Sequence, residues 1–229
     1  MYRYETHLHT SVSSACSRFT PEEVVNKYVR LGYAGVFVTD HYLRGNSSVP
    51  RDLPYRERVA RYFDGYRAVR KCAEGSGLSV FCGVEISHAG TDFLFYGLEE
   101  EWYMNNPDIM TEPPRAFCRR ARDAGALVIQ AHPYRERDYI DHIRLFPQDV
   151  EGVEIINGCE SERSNGLAKG LATAYGLLVT AGTDVHFANQ AGLAGMEFRE
   201  KIKSERDFIE KIRRGEGSVF SLTDREVTS

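Results

Sequence analysis

Two histidines two residues apart, His7 and His9, stand almost at the start of the chain. In an extended strand alternate side chains share a face, so the pair presents two imidazoles to one side. Two neutral imidazoles held side by side begin a divalent-metal site. Asp184-Val185-His186 repeats that two-residue spacing far along the chain. Between them His41, Glu85 and His132 each follow a short apolar run. One histidine at such a place is commonly structural. Five of the seven histidines in one pattern, with Glu85 and Asp184, favour a shared metal site.

His7, His9, His41, Glu85, His132, Asp184 and His186 outnumber the three protein ligands of one catalytic zinc. They suit two cations sharing a bridging carboxylate, Glu85 or Asp184, with a third within reach. Nitrogen and oxygen donors of this kind take Zn, Mn or Fe. Paired cations ~3.5–4 Å apart are the arrangement that cleaves phosphate esters.

The surrounding elements decide whether these residues meet. Thr20-Pro21-Glu22-Glu23 reads as a helix start with a capping box, and Val24, Val25, Tyr28 and Val29 form its apolar face. Ala34 to Thr39 is a buried-strand run ending at Asp40-His41. A long helix carries Val59, Tyr62, Phe63, Tyr66 and Val69. Strands follow at Leu78 to Val84, Asp92 to Gly97, Ala126 to Ala131 and Val153 to Ile156. Leu177 to Gly182 and Ser218 to Ser221 are the last two. Trp102 to Pro114 reads as a long loop before a helix near Arg115 to Ala124. Further helices are expected near Tyr139 to Leu145, Arg163 to Tyr175 and Glu205 to Arg214. A glycine-containing loop precedes the last of these. The alternation implies an α/β fold, a distorted (β/α)7 barrel formed by residues 1–229 as a single domain. A doubly wound open sheet is the alternative. In either fold, function gathers where strands end.

The composition, 42% hydrophobic and 27% charged, is that of a globular protein, and a net charge of −4 argues against coating a polyanion. No extended nucleic-acid surface and no membrane partner are expected. The five cysteines contain no C-x-x-C pair, no leader precedes the histidines, and no apolar run approaches a membrane span. A cytoplasmic location with free thiols follows as an expectation.

At this point the sequence resembles the PHP family, the polymerase and histidinol phosphatase metal-dependent phosphoesterases. The motifs are His7-Leu8-His9-Thr10, Val38-Thr39-Asp40-His41, Gly83-Val84-Glu85, Ala131-His132-Pro133 and Gly182-Thr183-Asp184-Val185-His186, in the family's order. The resemblance implies a seven-stranded barrel with two or three cations at the C-terminal strand ends. It also implies phosphomonoester or phosphodiester hydrolysis by a metal-activated water. There are two departures. Ser11 to Ser17 lacks the family's additional acidic or histidine ligand and offers Cys16 instead. Asp92 stands where many relatives carry a histidine. Both residues are further candidate ligands, against the plainer readings of a small loop residue and a turn residue.

Asp40 points away from His41 in a regular strand, which suits a residue that orients a ligand. Arg135, just past His132-Pro133, is the first candidate for gripping substrate phosphate, with Arg44 and Arg18 in neighbouring loops and Asn157 at a strand end. His88 and His142 fall outside the pattern. The leading expectation is a phosphoesterase acting on a small phosphorylated metabolite or nucleotide. An amidohydrolase-like metal hydrolase and a catalytically impaired metal-binding regulatory module are the alternatives. No lysine at a strand end offers the carboxylated ligand that the former usually needs.

Overall fold

The computed structural model describes residues 1–222. The strands are β1 (Tyr2–Leu8), β2 (Gly35–Val38), β3 (Ser79–His88), β4 (Thr91–Tyr96), β5 (Leu127–Gln130), β6 (Gly152–Asn157), β7 (Leu178–Gly182), β8 (Leu193–Phe198) and β9 (Ser218–Leu222). They form one sheet in the order β7-β6-β5-β4-β3-β2-β1-β8-β9. The helices are α1 (Pro21–Arg30), α2 (Tyr55–Tyr62), α3 (Asp64–Cys72), α4 (Glu100–Asn105), α5 (Pro114–Asp123), α6 (Glu162–Tyr175) and α7 (Glu205–Arg213).

The first seven strands curl until the ends of β1 and β7 meet. Leu8 bridges Val185, Thr6 Oγ1 donates to the Ala181 carbonyl at 2.6 Å, and His9 N–H donates to the Val185 carbonyl at 3.0 Å. The expected seven-stranded barrel is therefore nearly closed, and β8 and β9 extend it antiparallel beyond β1. One departure from strict β/α alternation matters for the site. Strand β4 turns back directly from β3 and runs antiparallel to β3 and β5. Its first residues, Thr91 and Asp92, thus lie at the end where the parallel strands finish.

Tyr4, Phe37, Phe81, Leu94, Tyr96, Leu127, Ile129 and Ala181 pack together in one buried cluster with Phe208, Ile209 and Ile212 of α7. The other strand faces pack outward, with Leu8, Val36 and Val38 against Val24 and Tyr28 of α1. Helix α1 starts as expected: Thr20 accepts from Glu23 N–H, and Glu23 answers on Thr20 N–H.

Four local expectations need correction. The long helix is two, α2 and α3, broken at Phe63. The region read as a loop holds α4 and a 3-10 turn at Pro107–Met110. No helix forms near Tyr139 to Leu145. There the Gln130 side chain donates to the Arg144 carbonyl and accepts from Phe146 N–H, while Arg144 grips the Ala89 carbonyl, and these contacts hold an irregular path. The glycine-containing stretch after His186 holds the strand β8. Among the described residues no helix is long and apolar enough to cross a membrane.

Candidate metal centre

Tyr4 and His7 both face the barrel interior although they are three residues apart, which regular alternation forbids. A register shift between Glu5 and Leu8 supplies the extra step and aims His7 and His9 inward. Glu5 remains on the outer side, where its carboxylate accepts from His7 N–H at 2.9 Å, Thr183 N–H at 2.9 Å and the Tyr28 hydroxyl at 2.8 Å. This buried acid ties β1 to the start of the Asp184 loop.

At the loop ends two non-glycine residues adopt positive φ, His132 at 26° and Asp184 at 57°. Left-handed backbone at such residues costs about 1–3 kcal/mol and gathers at functional sites. Here it turns both side chains back over the barrel mouth.

All seven primary candidates converge. His7 Nε2 lies 3.1 Å from Glu85 Oε1 and 3.6 Å from Asp184 Oδ1. His9 Nε2 lies 3.2 Å from Asp184 Oδ1 and 3.6 Å from Glu85 Oε2. His41 Nδ1 touches Glu85 Oε2, and His132 Nε2 is 3.4 Å from Glu85 Oε1. His186 lies 3.6 Å from Asp184 Oδ1, and its ring centroid is 4.4 Å from that of His9. Donor atoms within 4.8 Å of one another form three groups: His7 with Glu85 and His132, His7 with His9 and Asp184, and His9 with His41 and His186.

These residues pass a specific test of fitness for cations. His9 Nε2, His41 Nδ1, Glu85 Oε2 and Asp184 Oδ1 are buried, crowd against one another, and make no well-oriented hydrogen bond. Such atoms carry a full desolvation penalty unless something satisfies them. All four belong to the same cluster, and a divalent cation satisfies nitrogen and carboxylate oxygen together.

The ligand rings are oriented from behind. Glu154, 1% exposed, was not among the residues singled out from sequence. Its Oε1 lies 3.0 Å from His7 Nδ1, and its Oε2 accepts from His132 N–H at 3.1 Å and Asn157 Nδ2 at 2.9 Å. A neutral His7 that donates Nδ1–H to Glu154 leaves its Nε2 lone pair aimed at the cluster, the usual carboxylate–histidine–metal arrangement. The only sequence signal for Glu154 was a charged residue inside an apolar strand. Such a residue needs a partner, because lone charges are rarely buried.

Asp40 reaches His9 through an intermediary. The Ser14 hydroxyl donates to Asp40 Oδ1 at 2.6 Å, and His9 Nδ1 lies 3.3 Å from the Ser14 oxygen. Thr10 adds two more donors, its N–H at 2.6 Å and its hydroxyl at 2.7 Å. Burial still pushes the Asp40 carboxyl up to about 6 against these bonds. His186 donates Nδ1–H to the Asp184 carbonyl at 2.9 Å, which leaves Nε2 for a ligand.

Electrostatics divides the histidines. Burial pulls His7 down, but Glu154, Asp184 and Glu85 around it raise it well above the ordinary range. Burial lowers His9 well below that range, and His41 and His186 lower it further. Burial raises Glu85 and Asp184, yet His41, His7 and His9 on the first, and His7 and Arg135 on the second, hold both far below normal. The Cys16 thiol faces His186 and His41, which outweigh burial and bring it down to about 6. Asp92 Oδ2 lies 3.8 Å from His132 Nε2, and burial followed by Glu85 raises its carboxyl.

The remaining candidates separate. Arg135 reaches the cluster, pairing with Asp184 and with Glu160 at 2.8 Å. Asn157 sits behind it, between Glu154 and Asp184 Oδ2 at 3.5 Å. Arg18 is exposed at the rim, where its N–H donates to the His186 carbonyl at 2.9 Å. Arg44 is a correction. Its guanidinium donates to the Ile109 and Glu112 carbonyls at 3.1 and 3.0 Å and meets His88 Nδ1 at 2.7 Å. It fastens the segment before α5 and so is already committed.

Comparison with known proteins meets this geometry. A family model described as PHP-associated matches residues 162–216. A two-domain protein of Bacteroides vulgatus, containing a predicted PHP-like metal-dependent phosphoesterase, superimposes with a TM-score of 0.72 at 17% identity over 96% of this chain. This chain spans 64% of that protein. A candidate metal-dependent phosphoesterase of Bifidobacterium adolescentis gives 0.60 at 16% identity, covering 92% of this chain and 96% of that one. These likenesses establish the fold.

Other structures share the fold. An amidohydrolase of Chromobacterium violaceum, with bound sulfate and no metal, gives 0.56 at 15% identity, covering 81% of this chain and 88% of that one. No curated protein matches the sequence.

Proposed function

We propose that this chain is a PHP-like metal-dependent phosphoesterase that hydrolyses a small phosphorylated metabolite or nucleotide, using two or three divalent cations. The observation that carries the reading is the set of four buried donor atoms on His9, His41, Glu85 and Asp184 that converge without a well-oriented hydrogen bond. His7, His9, Glu85, His132 and Asp184 would hold two cations, with Glu85 or Asp184 between them, and His41 and His186 belong to a further position. Zn, Mn or Fe suits the donors. Such cations supply Lewis-acid charge and acidify water.

The chain's own residues do the rest. Glu154 and the Asp40–Ser14 pair fix the faces of His7 and His9. Asn157 holds Glu154 against the Asp184 side. Arg135, in contact with Asp184, brings a guanidinium to the cluster edge, where it meets phosphoryl oxygens as charge builds on them. Arg18 at the rim binds the substrate's outer phosphate oxygens. Residues 1–229 act as one domain in the cytoplasm on this reading.

The test is inorganic phosphate release from an aryl phosphate and from a panel of nucleotides, sugar phosphates and histidinol phosphate, with Mn or Zn added. Activity that a chelator removes and that His9→Ala abolishes supports the proposal. Metal-loaded protein that releases no phosphate, with His9→Ala indistinguishable from wild type, overturns it. The amidohydrolase neighbour motivates an amide panel alongside. Against that chemistry, no lysine is hydrogen-bonded or ion-paired to a cluster residue among the described residues; the buried Lys27 donates to the Gln190 carbonyl instead.

A further inference from the structure

Lys27 of α1 is 6% exposed, and charged side chains are seldom buried without a partner. Its ammonium lies 5.7 Å from the centre of the Phe19 ring and donates to the Gln190 carbonyl at 2.9 Å. What it holds in place is a residue whose side chain clasps the loop between two candidate ligands. Gln190 Oε1 accepts from His186 N–H at 2.8 Å, and Gln190 Nε2 donates to the Asp184 carbonyl at 3.2 Å. The Gln190 N–H donates to the Phe187 carbonyl at 3.1 Å and closes the turn that brings the amide back.

The clasp grips the chain at a strained place. Asp184 is a non-glycine residue at a φ of 57°, a conformation that persists only where its surroundings over-determine it. The Asp184 carbonyl accepts from His186 Nδ1 at 2.9 Å as well as from Gln190 Nε2. One amide thus holds both ends of the Asp184-Val185-His186 step. With that carbonyl fixed, His186 keeps its Nδ1–H engaged and its Nε2 free, and Asp184 Oδ1 stays 3.2 Å from His9 Nε2. Gln190 Nε2 also donates to Cys159 Sγ at 2.8 Å, so the amide is committed to the loop and is not itself a ligand.

We propose that Gln190 is a positioning residue for the metal centre: its amide fixes the left-handed Asp184 turn, and with it the aim of the Asp184 carboxylate and the His186 ring, while Lys27 secures Gln190 from α1. The inference rests on the metal-dependent reading above for the presence of a cation, and on nothing in its substrate. Without the clasp the turn relaxes, and a cation must restore it on binding. The barrel beneath does not have to unfold for that to happen, because loops open locally at far lower cost than the core. The loss therefore falls on metal affinity rather than on global stability.

The experiment measures zinc affinity of the full chain by competition with a chromogenic chelator, for wild type, Gln190→Met, Lys27→Met and the double variant. Urea unfolding of each metal-free chain runs alongside. Methionine keeps the approximate length of either side chain and removes its hydrogen bonds. Gln190→Met should weaken zinc binding about tenfold, the low end for loss of an outer partner, with the metal-free urea midpoint unmoved. Lys27→Met should weaken binding in the same direction, and the double variant should bind no more weakly than Gln190→Met, because the two side chains form one clasp. Should Lys27→Met fail to fold, Gln190→Met alone decides. Wild-type affinity in Gln190→Met, losses that multiply in the double variant, or a zinc loss that merely follows a fall in the metal-free midpoint overturns the assignment. Weakened zinc binding in Gln190→Met without phosphate release by wild type would sink the phosphoesterase reading alone; phosphate release with zinc affinity unchanged in Gln190→Met would sink this inference alone.

Discussion

Replacing Glu154 by glutamine is the most informative single change, because it alters charge and proton placement while keeping volume. Glu154 accepts at three places, from His7 Nδ1 at 3.0 Å, His132 N–H at 3.1 Å and Asn157 Nδ2 at 2.9 Å. A glutamine has one oxygen for those donors and one NH2 group. If the oxygen keeps the His132 and Asn157 bonds, the NH2 faces His7 Nδ1, and His7 must then carry its proton on Nε2, the atom that faces Glu85. If the amide flips, two donors oppose the His132 N–H and Asn157. Either way a metal ligand is mis-set or a buried donor is stranded. Loss of an orienting partner of this kind costs about 10–100-fold in metal affinity, which is about 1.4–2.7 kcal/mol. Zinc affinity is measured by competition with a chromogenic chelator, with thermal unfolding as the control for folding. Glu154→Gln that binds zinc as tightly as wild type, at unchanged melting temperature, refutes the claim that Glu154 sets the His7 tautomer.

Other consequences are equally direct. A Cβ on Gly182 would collide with His7 Cβ and come within 2.9 Å of Glu154 Oε1. Gly182→Ala should therefore destabilise the fold by about 1–3 kcal/mol in urea and weaken metal binding with it; an unchanged denaturation midpoint would contradict the packing. Arg18→Ala should raise KM about tenfold, or about 1.4 kcal/mol, with kcat and metal content unchanged, whereas Arg44→Ala should lower stability and leave KM alone. The reverse pattern would exchange their roles. In the metal-free protein His7 is held protonated above its ordinary range by Glu154, Asp184 and Glu85, despite burial. A cation must displace that proton, so apparent zinc affinity keeps rising with pH above the ordinary imidazole range. Calorimetry in buffers of different ionisation enthalpy should show proton release, and its absence would count against the ion-pair network.

The candidate ligands were legible because most of them follow an apolar strand run, and parallel strands bring such positions to one end of a barrel. The start of α1 was legible because Thr20 and Glu23 form a local capping pair. What escaped depends on contacts between distant segments. Glu154 looks like an ordinary charge in a short strand until His7 arrives from 147 residues away. Ser14 is one of several serines in its loop, and only the approach of Asp40 makes it a relay to His9. Strand β8 was hidden by Gly195 within it and Gly192 just before it, which read as a loop. Gly195 is needed there because a Cβ would run into the Tyr4 carbonyl of the adjacent strand. The helix expected near Tyr139 to Leu145 had plausible spacing, but hydrogen bonds from Gln130 override it. Arg44 could not be distinguished from Arg18 by position, since the carbonyls that engage it lie more than 60 residues away.

The central claim is that side chains from His7 to His186 grip several cations in one pocket. Anomalous diffraction from crystals soaked separately in zinc and in manganese tests it most directly. The account predicts at least two peaks among His7, His9, Glu85, His132 and Asp184, with Glu85 or Asp184 between them and Glu154 still behind His7. A map with no peak among these residues, or with metal bound only elsewhere on the chain, would contradict it.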